Sequence, residues 1–325
     1  MIPVTILSLG GTILSRSGSA APVPLGHLQD PRMEAVSFVE IARLGSNALS
    51  FADLTSLAEE IATRHAADPS CAFVLVQGTD TLEETSFLLD LLLARQVPLI
   101  VTGAMRTADA PGADGPANLS DAIAAARAVA AKADRGPIGV LVCMGAELHS
   151  ALLVRKTDAG RPNAFASPGH GPLGYMTEGR CRLLLHPAPR PGPYTVDGRQ
   201  PVVGLLPLCF DTTPAEVAAL LTAPLDGLVV AGLGAGTMPP AIDPLLAEAA
   251  QRLPVLMTSR CGQGEVSEAT YVGAGTTHHL LGKGVIAGGF LDPRKARILL
   301  TILLWAGFRG DLLKKELTAW RDLAG

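Results

Sequence analysis

Residues 71–93 read CAFVLVQGTDTLEETSFLLDLLL, and this stretch decides the fold. Its first six residues are almost continuously apolar, as in a strand buried on both faces. A polar Gly-Thr-Asp-Thr turn follows, and then leucines and a phenylalanine at helical spacing. Thr81 and Glu84 have the separation of a capping box, which sets a helix start at Leu82. Strand, turn and helix in this order make one half of a parallel α/β unit.

The same rhythm extends in both directions. Buried-type strands are expected at 3–9, 71–77, 98–103, 138–144, 202–208, 227–232 and 254–258, with helices at 52–67, 82–95, 116–132, 214–221, 242–252 and 293–306. Asp114-Gly115-Pro116 supplies a side-chain cap and a first-turn proline for the third helix. One stretch breaks the pattern, His186–Pro201, with prolines at 187, 189, 191, 193 and 201. Proline lacks the N–H a ladder needs, so this stretch reads as a linker. The expected fold class is α/β with two doubly wound domains: a larger N-terminal one over 1–186 and a smaller C-terminal one over 202–325, joined by a Pro-rich linker at 187–201.

Composition agrees with an aliphatic core. Of 325 residues, 48% are hydrophobic, yet only 8 Phe, 3 Tyr and 2 Trp occur. Lys and Arg number 26 against 30 Asp and Glu, with no basic run, which excludes the footprint of a nucleic-acid binder. The apolar stretch Phe87–Val101 is broken by Asp90, Arg95 and Pro98, too early for a membrane span. The N-terminus enters Val4-Thr5-Ile6-Leu7 without a basic region or cleavage site, so no secretory signal is expected and a cytoplasmic location is. The cysteines at 71, 143, 181, 209 and 261 show no paired spacing and read as reduced core thiols. No cofactor or metal is called for. His278-His279 reads as an exposed pair diverging on a strand, and LVVAGLGAGT at 228–237 lacks both the third glycine spacing and the following helix of a dinucleotide fingerprint.

Ligands of open α/β sheets bind beyond the carboxyl ends of strands. Three such ends carry small and hydroxyl residues: ILSLGGTIL at 6–14, VLVQGTD at 74–80 and LIVTGAMR at 99–106. Glycines at 10, 11 and 78 allow close approach to main-chain N–H groups, while Thr12, Thr79 and Asp80 offer two hydroxyls and a carboxylate. This set can attack a carbonyl and hold an oxyanion.

GGT at 10–12, QGTDTLEET at 77–85, GAMR at 103–106, ADGPANL at 113–119, GPLGY at 171–175 and GVIAGGFLDPRKARILL at 284–300 together resemble the bacterial-type L-asparaginase/glutaminase family, in order and spacing, over nearly the whole chain. The resemblance implies a threonine amidohydrolase that cleaves a side-chain carboxamide through an acyl-enzyme. Position by position, Thr12 matches the nucleophile, Thr79 and Asp80 the second threonine and its acid, and Lys156 the lysine of that second group. Ser46 matches a carboxylate binder, with Asn47 where glutamine is frequent. Main chain at Gly11 and Gly78 lines the substrate, and the carbonyl of Ala104 holds the leaving carboxamide. The resemblance further implies a small amino-acid amide as substrate and a homodimer or homotetramer with sites at the dimer interface.

A threonine hydroxyl needs a proton acceptor within hydrogen-bond reach, and Lys156 acting through Thr79 can provide one. Two departures stand out. The family's lid tyrosine has no counterpart, because no tyrosine lies between Thr12 and Ser46; His27, Ser15, Ser17 and Ser19 are the polar replacements available in 14–29. No glutamate occurs in 271–284, where the periplasmic branch places one against the substrate's amino group. The sequence therefore predicts weak asparagine hydrolysis or preference for another small amide. The alternative is a ligand-binding or regulatory protein on the same scaffold.

Overall fold

The computed structural model describes residues 1–14, 33–132 and 136–324. They form two compact units, Met1–Pro187 and Ala188–Gly325. In the first, β1 (Val4–Ser8), β2 (Val36–Glu40), β3 (Ala72–Val76), β4 (Leu99–Thr102) and β5 (Leu141–Met144) are followed by β6 (Glu147–Ser150), β7 (Arg155–Lys156), β8 (Phe165–Ala166), β9 (Gly174–Thr177) and β10 (Arg180–Leu183). Helices α1 (Phe51–Ala67), α2 (Leu82–Leu92) and α3 (Gly115–Ala130) alternate with the parallel strands.

The main sheet has the order β10-β9-β6-β5-β4-β3-β1-β2, and β7 pairs separately with β8. The five strands from β5 to β2 are parallel. Strands β6, β9 and β10 extend the sheet antiparallel, an addition that the expected all-parallel pattern did not contain. These strands are short, and β9 and β10 alternate in burial instead of being apolar throughout. Their turns do carry a signal: Gly145-Ala146 and Glu178-Gly179 all adopt positive φ between directly paired residues, as two-residue hairpins require. Chain order reverses at β1, which has β2 on one side and β3 on the other. That is the topological switch point where open sheets bind ligands.

Every residue of β1, β3, β4 and β5 is buried. Ile6, Val74, Val76, Ile100 and Cys143 pack with Leu119, Ala122 and Ala126 of α3 in one core. The small residues of α3 let its axis lie close to the sheet, which explains a core built with so few aromatics.

In the second unit, β11 (Val203–Pro207), β12 (Gly227–Gly232), β13 (Val255–Ser259) and β14 (Ile286–Ala287) form a parallel sheet in sequence order. Helices α4 (Pro214–Leu221), α5 (Asp243–Ala249), α6 (Thr277–Leu281), α7 (Pro293–Trp305) and α8 (Gly310–Arg321) complete it. The expected linker at 187–201 carries no helix or strand. Its Tyr194 is buried and accepts a hydrogen bond from Trp320 Nε1 at 2.8 Å, while its own hydroxyl donates to Glu316. Helix α8 buries Leu313, Leu317 and Trp320, a helical spacing that is present in the sequence beyond the six helices expected.

Other expectations are corrected. His278 and His279 lie on a helix, α6, capped by the Thr276 hydroxyl accepting the His279 N–H at 3.3 Å. Cys71 and Cys143 are buried, but Cys209 and Cys261 are exposed, so the cysteines are not uniformly core thiols. Burial holds the Cys143 thiol well above its ordinary pKa. The stretch after β12 folds back through a Leu233–Thr237 bridge, and the next α-helix starts only at Asp243.

Candidate active site

The loops after β1 and β3 meet because the strands are in parallel register, Ser8 beside Val76, with the Leu9 N–H bonded to the Val76 carbonyl at 2.9 Å. Gly11 crosses the second loop so closely that a Cβ there would stand 2.3 Å from the Gly78 nitrogen. Its φ of +99° also excludes ordinary side chains. Gly78 is constrained from the other side, since a Cβ on it would lie 2.7 Å from Ser46 Oγ.

These loops enclose a cavity of about 370 Å³. Its wall holds Gly11, Thr12, Ser46, Asn47, Gly78, Thr79 and Asp80, seven of the nine residues expected from sequence. Thr12 opens a single 3-10 turn, Thr12–Leu14, and Ser46 opens another, Ser46–Ala48. Ser46 ties the site together: its Oγ accepts the Asp80 N–H at 3.2 Å, and its carbonyl accepts the Thr81 hydroxyl at 2.9 Å. Thr81 is therefore the N-cap of α2 without a side-chain cap bond, contrary to the capping-box expectation; its hydroxyl is committed to Ser46.

Lys156 reaches Thr79 from outside the wall. Its Nζ donates to Thr79 Oγ1 at 2.9 Å and to Asp80 Oδ1 at 3.1 Å. The lysine side chain is 16% exposed and that of Asp80 69%, so the pair sits at a boundary between protein and solvent. Thr79 itself is buried. A hydroxyl held by an amine on one side and facing a cavity on the other can pass a proton between them.

Ala104, like Lys156, is absent from the wall, and it is fully buried. Its turn is nonetheless tightly built. Asp114 carboxylate oxygens accept the N–H groups of Met105 at 2.9 Å and Arg106 at 2.9 Å. Asn118 Nδ2 donates to the Gly103 carbonyl at 3.1 Å, and Asn118 Oδ1 accepts the Gly145 N–H at 3.1 Å. Asp114 thus spends its carboxylate on the 103–106 turn and makes no cap bond to α3, correcting the expected role. Gln77 is fully buried, and its Nε2 donates to the Gly78 carbonyl and Thr85 Oγ1 at 3.2 and 3.3 Å.

Gly10, singled out in the sequence with Gly11 and Gly78, also lines the wall, whereas sequence reasoning missed Ser8, Glu40, Arg43, Leu44 and Gly45. Glu40 and Arg43 form an exposed ion pair at 2.8 Å. They follow from β2, an edge strand whose half-exposed VSFVE pattern was not read as a strand. The polar replacements proposed for the lid tyrosine, His27, Ser15, Ser17 and Ser19, lie outside the described residues. Among the described residues no group of three or more His, Cys, Asp or Glu is placed to hold a metal ion.

Two family models match the chain: asparaginase, N-terminal, over residues 3–189, and glutaminase/asparaginase C-terminal domain over 202–315. The chain belongs to the asparaginase family. Asparaginase relatives include L-asparaginase 2 of Escherichia coli, 32% identical over 93% of this chain and 88% of the relative. A probable L-asparaginase of Deinococcus radiodurans is 32% identical over 97% of both chains. A crystal structure of a probable cytoplasmic L-asparaginase from Campylobacter jejuni superposes with a TM-score of 0.82 at 27% identity, covering 98% of this chain and all of that one. The asparaginase match spans both units, and the Thr12, Thr79 and Lys156 positions fall inside its N-terminal part.

Proposed function

We propose that this protein hydrolyses the side-chain amide of asparagine, yielding aspartate and ammonia, with Thr12 as nucleophile. The observation that carries this is the cavity with Thr12 and Thr79 together on its wall, Thr79 being hydrogen-bonded to Lys156 Nζ at 2.9 Å. Thr12 Oγ1 attacks the amide carbon, its proton is passed to the amide nitrogen, the C–N bond breaks, and nitrogen leaves as ammonia. Water, deprotonated through the Thr79–Lys156 pair, then cleaves the acyl-threonine ester and returns the proton to Thr12. Main-chain N–H groups at the Gly11 and Gly78 crossing are suited to the developing oxyanion. Ser46, Asn47 and Asp80 serve the substrate's carboxylate and amino groups.

Retention of the Lys156–Thr79–Asp80 arrangement disfavours a ligand-binding protein without turnover. Lacking a tyrosine between Thr12 and Ser46, the enzyme is expected to turn over asparagine slowly, with glutamine, one methylene longer, as a further candidate. The test is ammonia release from L- and D-asparagine, L-glutamine and other small amides. Thr12→Ala is expected to lower the best activity at least ~10³-fold. An unimpaired Thr12→Ala enzyme excludes Thr12 as nucleophile; rapid turnover at low asparagine concentration overturns the expectation of slowness.

A homo-oligomer and a cytoplasmic location belong to the same proposal. The Campylobacter jejuni neighbour is named a probable cytoplasmic L-asparaginase, whereas a 32% identical Haemophilus influenzae relative is named a probable periplasmic L-asparaginase. Five unpaired cysteines favour a reducing compartment. Light scattering and cell fractionation check the two points.

A further inference from the structure

Glu83 does not line the cavity, yet its carboxylate is buried, with only 1% of the residue exposed. It lies in the first turn of α2, three residues after Asp80. Its Oε2 accepts the main-chain N–H of Lys156. The Nζ of the same lysine donates to Thr79 and Asp80. The five-residue segment 79–83 therefore grips Lys156 at both ends, main chain and amine.

The lysine needs such a grip because its own strand is slight. β7 comprises only Arg155 and Lys156, paired with Phe165 and Ala166 of β8, and a ladder this short is weak by itself. α2, in contrast, is anchored by buried Leu82, Phe87, Leu88 and Leu89. An ionised acceptor makes a stronger bond to a main-chain N–H than a neutral one. Burying a carboxylate is costly, and an apolar side chain would serve if α2 and β7 merely had to pack.

We infer that Glu83 is a positioning residue for catalysis: by fixing the main chain of Lys156 against α2, it sets the amine at hydrogen-bond distance from Thr79. This rests on the role proposed for Lys156. The first-turn location also allows a bland function, favourable interaction with the N-terminus of α2, and the experiment separates the two.

The full chain is prepared as Glu83→Ala, Lys156→Met and the double variant, and kcat and KM are measured on the amide that the parent hydrolyses best. Glu83→Ala is expected to lower kcat about 10²-fold, the cost of misplacing a catalytic group. KM should stay within about threefold, because Glu83 is not on the cavity wall. In the Lys156→Met background the same replacement should lower kcat by less than about threefold, since an effect passing through Lys156 has nothing left to act on. Glu83→Asp, which keeps the charge but withdraws it by one methylene, runs through the same cycle and serves if Glu83→Ala does not fold. Its expected loss is smaller and likewise vanishes beside Lys156→Met.

Losses that multiply in full with Lys156→Met would overturn the inference, as would a raised KM at unchanged kcat. Full activity of Lys156→Met, with Thr12→Ala inactive, would remove the role of Lys156 and leave the nucleophile in place.

Discussion

Gly11 imposes the strictest geometric condition in the site. With φ at +99° and a notional Cβ 2.3 Å from the Gly78 nitrogen, even alanine forces the two loops apart. Gly11→Ala is expected to cost about 1–3 kcal/mol of stability, through strain and displaced main chain. Activity should fall about 10²-fold, because Thr12 is the next residue and ångström displacements matter at that magnitude. Denaturant titration and ammonia release check both; a fully active Gly11→Ala enzyme would mean that the loops have room to move. The glycine's freedom was legible in GGT, but the reason for it was not. Only strand register puts Gly78 against Gly11.

The helix α3 illustrates how an element can serve a site without entering it. Its N-cap residue Asp114 and first-turn Asn118 hold the 103–106 turn and the start of the β5–β6 hairpin. Gly115 leaves space for Ile13, the residue after Thr12: a Cβ there would lie 2.7 Å from Ile13 Cγ1 and 3.4 Å from Ala104 Cβ. Asp114→Ala leaves two N–H groups without their charged acceptor, an expected loss of about 1–3 kcal/mol. Denaturant titration reads that loss. Amide hydrogen exchange at Met105 and Arg106 should accelerate while exchange in the middle of α3 is unchanged; unaltered exchange at both residues would show that the clamp does not hold them. From sequence, Asp114-Gly115-Pro116 reads as an ordinary helix start. Asp, Ser and Thr serve caps and loop clamps with the same chemistry, so the local pattern could not distinguish them. Thr81, which bonds Ser46 instead of capping α2, was misread for the same reason.

Across the protein, several carboxylates are held below their usual range by hydrogen bonds. Asp53 is lowered by Ser50, Asp158 by the Gly160 and Arg161 N–H groups, Glu216 by Thr213, and Asp226 by Arg199 and the Val202 N–H. Such a group adds stability above its unfolded pKa, near 3.9 for Asp and 4.3 for Glu. That contribution disappears as pH falls through the lower folded value. The protein should therefore lose stability progressively below about pH 4. Asp226→Asn should be less stable than the parent at pH 7, with the difference narrowing towards pH 3. Urea unfolding at the two pH values tests this, and a constant difference would show that the Asp226 charge is not involved. Sequence alone determined the α/β class and the parallel core strands and singled out Thr12, Thr79 and Asp80 as candidates, because continuous apolar runs and glycine-threonine turns are local patterns; Lys156 was reached only through the family resemblance. Tertiary structure alone decided that β1 is the switch point, that β6, β9 and β10 extend the sheet antiparallel, and that Glu83 meets Lys156. Those facts depend on which distant segments lie side by side, and no local pattern encodes a contact across 73 residues.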